Sequence, residues 1–359
     1  MNYVRKNIAA ISGYVPGEQP QGRVFVKLNT NENPYPPSPK VSEALRDFSE
    51  KNLRLYSEPS ARMLRCAAAE RYNMEPDEVL CGNGSDDLLT IALRTFVDQG
   101  GTLAFTNPSY SLYPVLADIQ GAKKCPVELD ENFQLPENAA ELAGNATLFL
   151  LCRPNAPTGT SLLRERLEKL CREFHGVVWI DEAYVDFSED DCLDFVHRYP
   201  NVVVSRTFSK SFSLAGLRLG LAFANTNLIA EMNKVKDSYN VDMITQYLGS
   251  AALKDYAYMQ KNVRLICKMR SWTTQKLQEI GCEVLPSSAN FIFVKTPIPA
   301  AEVFLALRNE GFLVRYFDLP RISGYLRVTM GLPENMEGFI RAMKKILSEK
   351  PCSAENKKE

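Results

Sequence analysis

The segment Val202-Val203-Val204-Ser205-Arg206-Thr207-Phe208-Ser209-Lys210-Ser211-Phe212-Ser213-Leu214-Ala215-Gly216-Leu217-Arg218-Leu219-Gly220 decides how the chain is read. It opens on an apolar strand, sets one lysine among hydroxyls, and places an arginine eight residues after that lysine. Upstream, a second apolar strand, Val177-Val178-Trp179-Ile180, ends in Asp181-Glu182-Ala183-Tyr184. Continuous apolar runs of this kind are strands covered on both faces. Either segment by itself also reads as a buried strand with an ordinary polar loop behind it. In succession they put an aspartate, a tyrosine and a lysine at the ends of consecutive strands.

Outward from this pair the alternation continues. Val79-Leu80-Cys81 leads through Gly82-Asn83-Gly84-Ser85-Asp86 into a helix from Asp87 to Val97. Thr102-Leu103-Ala104-Phe105 precedes Asn107-Pro108-Ser109-Tyr110, and the apolar run 146–152 stops at Arg153-Pro154-Asn155-Ala156-Pro157-Thr158-Gly159. Strands alternating with helices predict an α/β fold with a largely parallel sheet. Helices are expected over 38–49, 60–72 and 162–174, the second with Met63, Leu64, Ala67 and Ala68 on one apolar face. Beyond about residue 245 one long amphipathic stretch (246–280) precedes short strands at 291–294 and 325–329 and a closing helix at 334–348. The expected division is a large domain over 38–245, a smaller α+β domain from 1–37 plus 246–350, and a solvated tail over 351–359.

Composition narrows the function. The net charge is −1 with both signs scattered, so no basic stripe suggests nucleic acid. No apolar stretch is long enough to span a membrane, and Met1 to Ala10 lacks the apolar core of a signal peptide. The nine cysteines form no C-x-x-C pair and read as buried thiols of a cytoplasmic protein. His175 and His197 are the only histidines, which leaves little for a metal site or a Ser-His-Asp triad.

The residues at the strand ends match the needs of pyridoxal phosphate. A lysine forms a Schiff base, a carboxylate keeps the pyridine nitrogen protonated, and hydroxyls with an arginine hold phosphate. Lys210 is the candidate amine, Asp181 the ring-nitrogen partner, and Tyr184 a donor to the ring oxygen. Gly84, Ser85 and Asp86 lie between a strand and a helix, where backbone N–H groups favour an anion; the plain alternative is a helix cap. Tyr110 can stack on a ring, Asn155 can reach its oxygen, and Arg327 can bind a carboxylate or phosphate. Each also has an ordinary structural reading.

Taken in order, these motifs resemble the histidinol-phosphate aminotransferase family of fold-type I pyridoxal-phosphate enzymes. The resemblance runs from Ile11-Ser12-Gly13-Tyr14-Val15-Pro16-Gly17 to 325–331 and includes Leu28-Asn29-Thr30-Asn31-Glu32-Asn33-Pro34. It implies a seven-stranded, mostly parallel large domain and Lys210 as both cofactor anchor and proton shuttle. Gly84, Ser85, Thr207, Ser209 and Arg218 would surround the phosphate, Asp181 and Tyr184 would hold the ring, and Tyr110 would cover one ring face. Tyr56 would reach the cofactor phosphate of a second subunit in a homodimer. Arg327, with Tyr14, Tyr239, Asn240 and Arg315, would lie at the substrate. The implied reaction is amino transfer from L-histidinol phosphate to 2-oxoglutarate.

Three positions depart from the pattern. Ala156 stands where many relatives have an asparagine that touches the ring oxygen, Asp87 where glutamate is common, and Arg153 where a small polar residue is common. Other readings of the same scaffold are a threonine-phosphate decarboxylase, an aromatic amino-acid aminotransferase, and a non-catalytic ligand sensor.

Overall fold

The computed structural model describes residues 3–14, 17–19 and 24–349; the expected tail over 351–359 lies outside them. Seven strands build the main sheet: β1 (Val79–Gly82), β2 (Thr102–Asn107), β3 (Lys123–Glu128), β4 (Leu148–Cys152), β5 (Val177–Asp181), β6 (Val202–Thr207) and β7 (Gly220–Ala224). Their order is β1-β7-β6-β5-β4-β2-β3. Strand β7 runs antiparallel to both neighbours, and every other pairing is parallel.

All residues of β4, β5 and β7 are buried, which explains their unbroken apolar sequences. Strand β3 carries no such signal, and the sequence reading passed over it. It forms the sheet edge, exposes Lys123, Lys124, Pro126 and Glu128, and so reads as polar. Strand β7 was also missed, because it starts inside the segment read for its lysine and arginine.

A second sheet is antiparallel throughout. It comprises β8 (Glu283–Val284), β9 (Phe291–Lys295), β10 (Arg315–Tyr316) and β11 (Tyr325–Thr329), in the order β10-β11-β9-β8. The helix Ala300–Asn309 packs on it and the helix Pro333–Glu349 packs on that helix, burying Val303, Leu307, Phe339 and Met343.

The expected stretch 246–280 is two helices, Met243–Leu253 and Tyr256–Gln278. The first packs on the helices Pro39–Asp47 and Arg62–Tyr72. It buries Leu248, Gly249, Ala252 and Leu253, and the boundary expected at 245 falls within this helix. The N-terminal helix Lys6–Ala9 packs beside the helix Leu112–Gln120, with Asn7 Nδ2 donating to Asp118 O at 2.8 Å. Of the expected apolar face over 60–72, Leu64 and Ala68 are buried, Ala67 is half-buried, and Met63 is exposed. Cys66 is exposed and Cys125 and Cys267 are half-buried, against the expectation of buried thiols; among the described residues all cysteines are free.

Parallel pairing puts the C-terminal ends of β2, β4, β5 and β6 on one edge of the sheet, and β1 ends there too. Gly82 stands opposite Gly220, which stands opposite Thr207. Loops after five strands therefore open on one crevice, the usual place for a ligand in such sheets.

Candidate active site

That crevice holds a cavity of about 280 Å³. Its lining includes Ser85, Asp86, Tyr110, Asp181, Tyr184, Thr207, Ser209, Lys210 and Arg218 from the large domain, and Arg315 and Arg327 from the second sheet. Tyr14 closes one side, with its ring edge-on to that of Tyr110 at 5.9 Å.

One end is built for an anion. Gly84 is the N-cap of the helix Ser85–Phe96, and no side chain caps that helix, so the capping alternative is not realised. The Ser85 hydroxyl is buried without a hydrogen-bond partner. Gly84 has φ +84°, and a Cβ there would sit 2.6 Å from Arg218 Nη2. Only glycine lets the guanidinium approach this loop. Arg218 has φ +52° and reaches Ser209 Oγ at 3.5 Å and Asp86 Oδ2 at 3.4 Å. Both members of that ion pair are half exposed, so it is weak and the guanidinium remains available. Asp87, the first departure, accepts from Asn83 N at 2.9 Å and braces the loop from behind.

In the middle stand Lys210, Asp181 and Tyr184. Lys210 Nζ donates to Thr30 O at 3.1 Å. Burial, then the charges of Arg327 and Arg218, pull its pKa down to about 8. Asp181 ends β5 with its carboxylate accepting from Ala183 N (3.2 Å) and Ser205 Oγ (3.3 Å). Burial and the Asp86 charge push its pKa up to about 7, so the anion lacks a cation. Strand alternation sends its neighbour Glu182 the other way, onto Arg206 at 2.9 Å. Tyr184 has its hydroxyl pushed up to about 12, mainly by burial.

The far end carries two arginines. Arg315 and Arg327 are directly opposite across β10 and β11, which puts both side chains on one face. Arg327 Nη2 donates to Asn29 O at 2.9 Å, and its Nε is buried without a partner. Burial and Arg315 lower the Arg327 pKa.

Three expected site residues lie elsewhere. Asn155 is buried with its amide spent on Pro108 O (3.1 Å) and Thr158 Oγ1 (2.9 Å), and it does not line the cavity. Asn240 donates to Cys81 O and Asp87 Oδ2, behind the anion loop and away from the substrate end. Tyr239 is 47% exposed outside the cavity and stacks on Tyr56 at 4.6 Å. Tyr56 itself is 81% exposed and cannot serve the cavity of its own chain. Ala156 lines the cavity, whereas Arg153 turns away, its Nη2 donating to both carboxylate oxygens of Asp190 (2.9 and 2.7 Å).

The strap Asn29–Asn33 is not among the site residues expected from the sequence, yet it lines and braces the site. Its carbonyls take Arg327 and Lys210, Asn31 Nδ2 donates to Tyr184 Oη at 2.9 Å, and Asn33 Nδ2 donates to Lys210 O at 2.9 Å. Four asparagine-or-threonine positions in five residues were the signal available.

The residues present fit pyridoxal phosphate. Ser85, Ser209, Thr207 and Arg218 would take its phosphate, Asp181 its ring nitrogen, Tyr184 its ring oxygen, and Lys210 its aldehyde. The orphan Ser85 hydroxyl and the cation-seeking Asp181 each gain a partner in doing so.

The family model for aminotransferase class I and II matches residues 23–343. A histidinol-phosphate aminotransferase of Citrifermentans bemidjiense is 43% identical, with 96% of this chain and 98% of that one covered. Another from Synechocystis sp. is 45% identical over 95% of this chain and 97% of that one. The crystal structure of histidinol-phosphate aminotransferase from Sinorhizobium meliloti in complex with pyridoxal-5'-phosphate has a similar fold. Its TM-score is 0.89 at 22% identity, covering 97% of this chain and 98% of that one.

Proposed function

The chain belongs to the class I and II aminotransferases, among the histidinol-phosphate aminotransferases, and we propose that it transfers the amino group of L-histidinol phosphate to 2-oxoglutarate. The products are imidazole-acetol phosphate and L-glutamate. The observation that carries the reading is the pair Arg315 and Arg327, opposed across β10 and β11 and facing the cavity across from the Arg218 end. Like charges directly opposite destabilise a sheet unless an anion joins them. Donor and acceptor both bring one: the phosphate of histidinol phosphate and a carboxylate of 2-oxoglutarate.

Bound in the cavity, pyridoxal phosphate supplies a ring that accepts the electron pair of a carbanion beside the substrate nitrogen. The chain's own part is positioning and proton handling. Asp181 keeps the ring nitrogen protonated, because its buried carboxylate needs a cation. Lys210 Nζ, with its depressed pKa, takes the proton from the donor's carbon and returns it within the site. Tyr14 and Tyr110 exclude water from one side of the ring.

The active unit in this reading is a homodimer. Leu45, Leu53, Leu55, Tyr56, Met63 and Tyr239 are large apolar side chains left between 47% and 81% exposed. A second copy of the chain would cover them, and the exposed Tyr56 hydroxyl would complete the phosphate site of that copy.

The test is the visible spectrum of the cofactor-loaded protein with histidinol phosphate and no keto acid. Loss of the visible band, restored by 2-oxoglutarate, is expected. A yellow protein that threonine phosphate or aromatic amino acids bleach, and histidinol phosphate does not, overturns the substrate.

A further inference from the structure

Tyr184 Oη and Asn31 Nδ2 are 2.9 Å apart, and both side chains are buried. The direction of this bond is set by a third residue. Asn31 N–H donates to Thr329 Oγ1 at 3.0 Å, and the same hydroxyl donates back to Asn31 Oδ1 at 3.0 Å. With its oxygen engaged there, the amide turns its NH₂ to Tyr184. A tyrosine hydroxyl has a single proton. Because Asn31 gives and Tyr184 accepts, that proton is left for the cavity. Asn31 is the one hydrogen-bond partner of the Tyr184 hydroxyl among the described residues.

The backbone is held as firmly as the amide. Asn31 has φ +56°, a left-handed conformation that asparagine tolerates better than most residues, and Asn290 Nδ2 donates to its carbonyl at 3.0 Å. In the same cavity Ala156 offers a methyl, and the Asn155 amide is spent elsewhere. Those loop positions therefore bring no amide to share the work of Tyr184.

We propose that Asn31 is a positioning residue that fixes the Tyr184 hydroxyl as a donor aimed at the ring oxygen of the cofactor. The proposal rests on the assignment of this cavity to pyridoxal phosphate. A donor at the ring oxygen lets that oxygen carry negative charge without sharing its neighbour's proton, so it lowers the pH at which the bound cofactor's visible band changes. Losing the donor raises that midpoint.

The experiment titrates the visible band of the cofactor-loaded protein and measures cofactor affinity by dialysis. Asn31→Gly keeps the left-handed backbone and removes the amide. It should raise the midpoint by about half a pH unit, on the order of a threefold change in proton affinity. Tyr184→Phe should raise it at least as far. Added to Tyr184→Phe, Asn31→Gly should then change the midpoint little, since it acts through that hydroxyl. Asn31→Asp preserves the shape but accepts the tyrosine's proton, so it too should raise the midpoint. An unmoved midpoint in Asn31→Gly or Asn31→Asp overturns the proposal, as do equal shifts with and without the Tyr184 hydroxyl. If Tyr184→Phe leaves the midpoint unmoved, the proposal fails, while the band still reports bound cofactor.

Discussion

Lys210 Nζ lies 3.1 Å from the carbonyl oxygen of Thr30, a residue 180 positions away in the chain. The strap that carries Thr30 also takes Arg327 through Asn29 and holds the Lys210 backbone through Asn33. The amine is thus held half-buried in the cavity, near the charges of Arg327 and Arg218, and its pKa falls to about 8. A lysine whose folded pKa lies below its unfolded value binds fewer protons when folded. Its contribution to stability therefore grows as pH rises from about 8 towards the unfolded value. The same shift predicts that cofactor-free protein captures pyridoxal phosphate faster as pH rises and levels off above about 8. An ordinary lysine would level off near 10.4. Stopped-flow absorbance across that range decides between them.

Lys210→Ala removes the one lysine amine lining the cavity among the described residues. Turnover should fall by at least about 10³-fold, while the anion end retains cofactor non-covalently. Gel filtration of the loaded variant, with absorbance and a glutamate assay, checks both halves. Turnover near the parent rate would remove Lys210 from the chemistry.

Asp181→Asn should separate stability from function. The carboxylate's folded pKa is raised to about 7, above its ordinary value of 3.8, by burial and then by Asp86. A carboxylate so raised contributes stability at pH below its unfolded pKa and loses it as pH rises through about 7. At pH 8 the cofactor-free protein carries a buried anion without a cation, so the neutral amide should stabilise it by on the order of 2 kcal/mol. The gain should shrink towards pH 4. Cofactor affinity should drop in the same variant. Urea unfolding at pH 5 and pH 8, with and without cofactor, measures this.

Arg327→Met tests the two-cation end. Cofactor-free stability should hold or rise, because one of two opposed charges is gone. The KM for histidinol phosphate should rise by about 30- to 1,000-fold, with kcat falling less. An unchanged KM would place the substrate's anion elsewhere.

Tyr56 and Lys210 should complement each other between subunits. Tyr56→Ala and Lys210→Ala proteins would each be impaired alone. In a mixed dimer one site keeps both groups, so exchange of subunits should restore about one quarter of parental activity. No recovery, or full activity from a monomer, would end the shared-site reading.

The anion loop and the strand ends were legible because their signals are local. A glycine before a helix, an aspartate closing an apolar run, and a lysine among hydroxyls each sit within a few residues of the strand that positions them. The partners of the Asn155 and Asn240 amides were not legible, for the opposite reason. An asparagine's amide goes to whichever carbonyl the tertiary fold brings near, here Pro108 O for one and Cys81 O for the other. The Asn29–Asn33 strap was visible as an asparagine-rich loop, but its partners Lys210, Tyr184 and Arg327 lie more than 150 residues away.

The sequence by itself determined the buried parallel sheet and the order of the chemical groups along its edge, since period, composition and motif spacing are properties of neighbours. The tertiary structure alone decided the facing of Arg315 on Arg327, the burial that moves Lys210 and Asp181 to near-neutral pKa values, and the turn of Asn31 toward Tyr184. Those depend on which distant groups share a low-dielectric space, and contact across the fold is set by packing rather than by position in the chain.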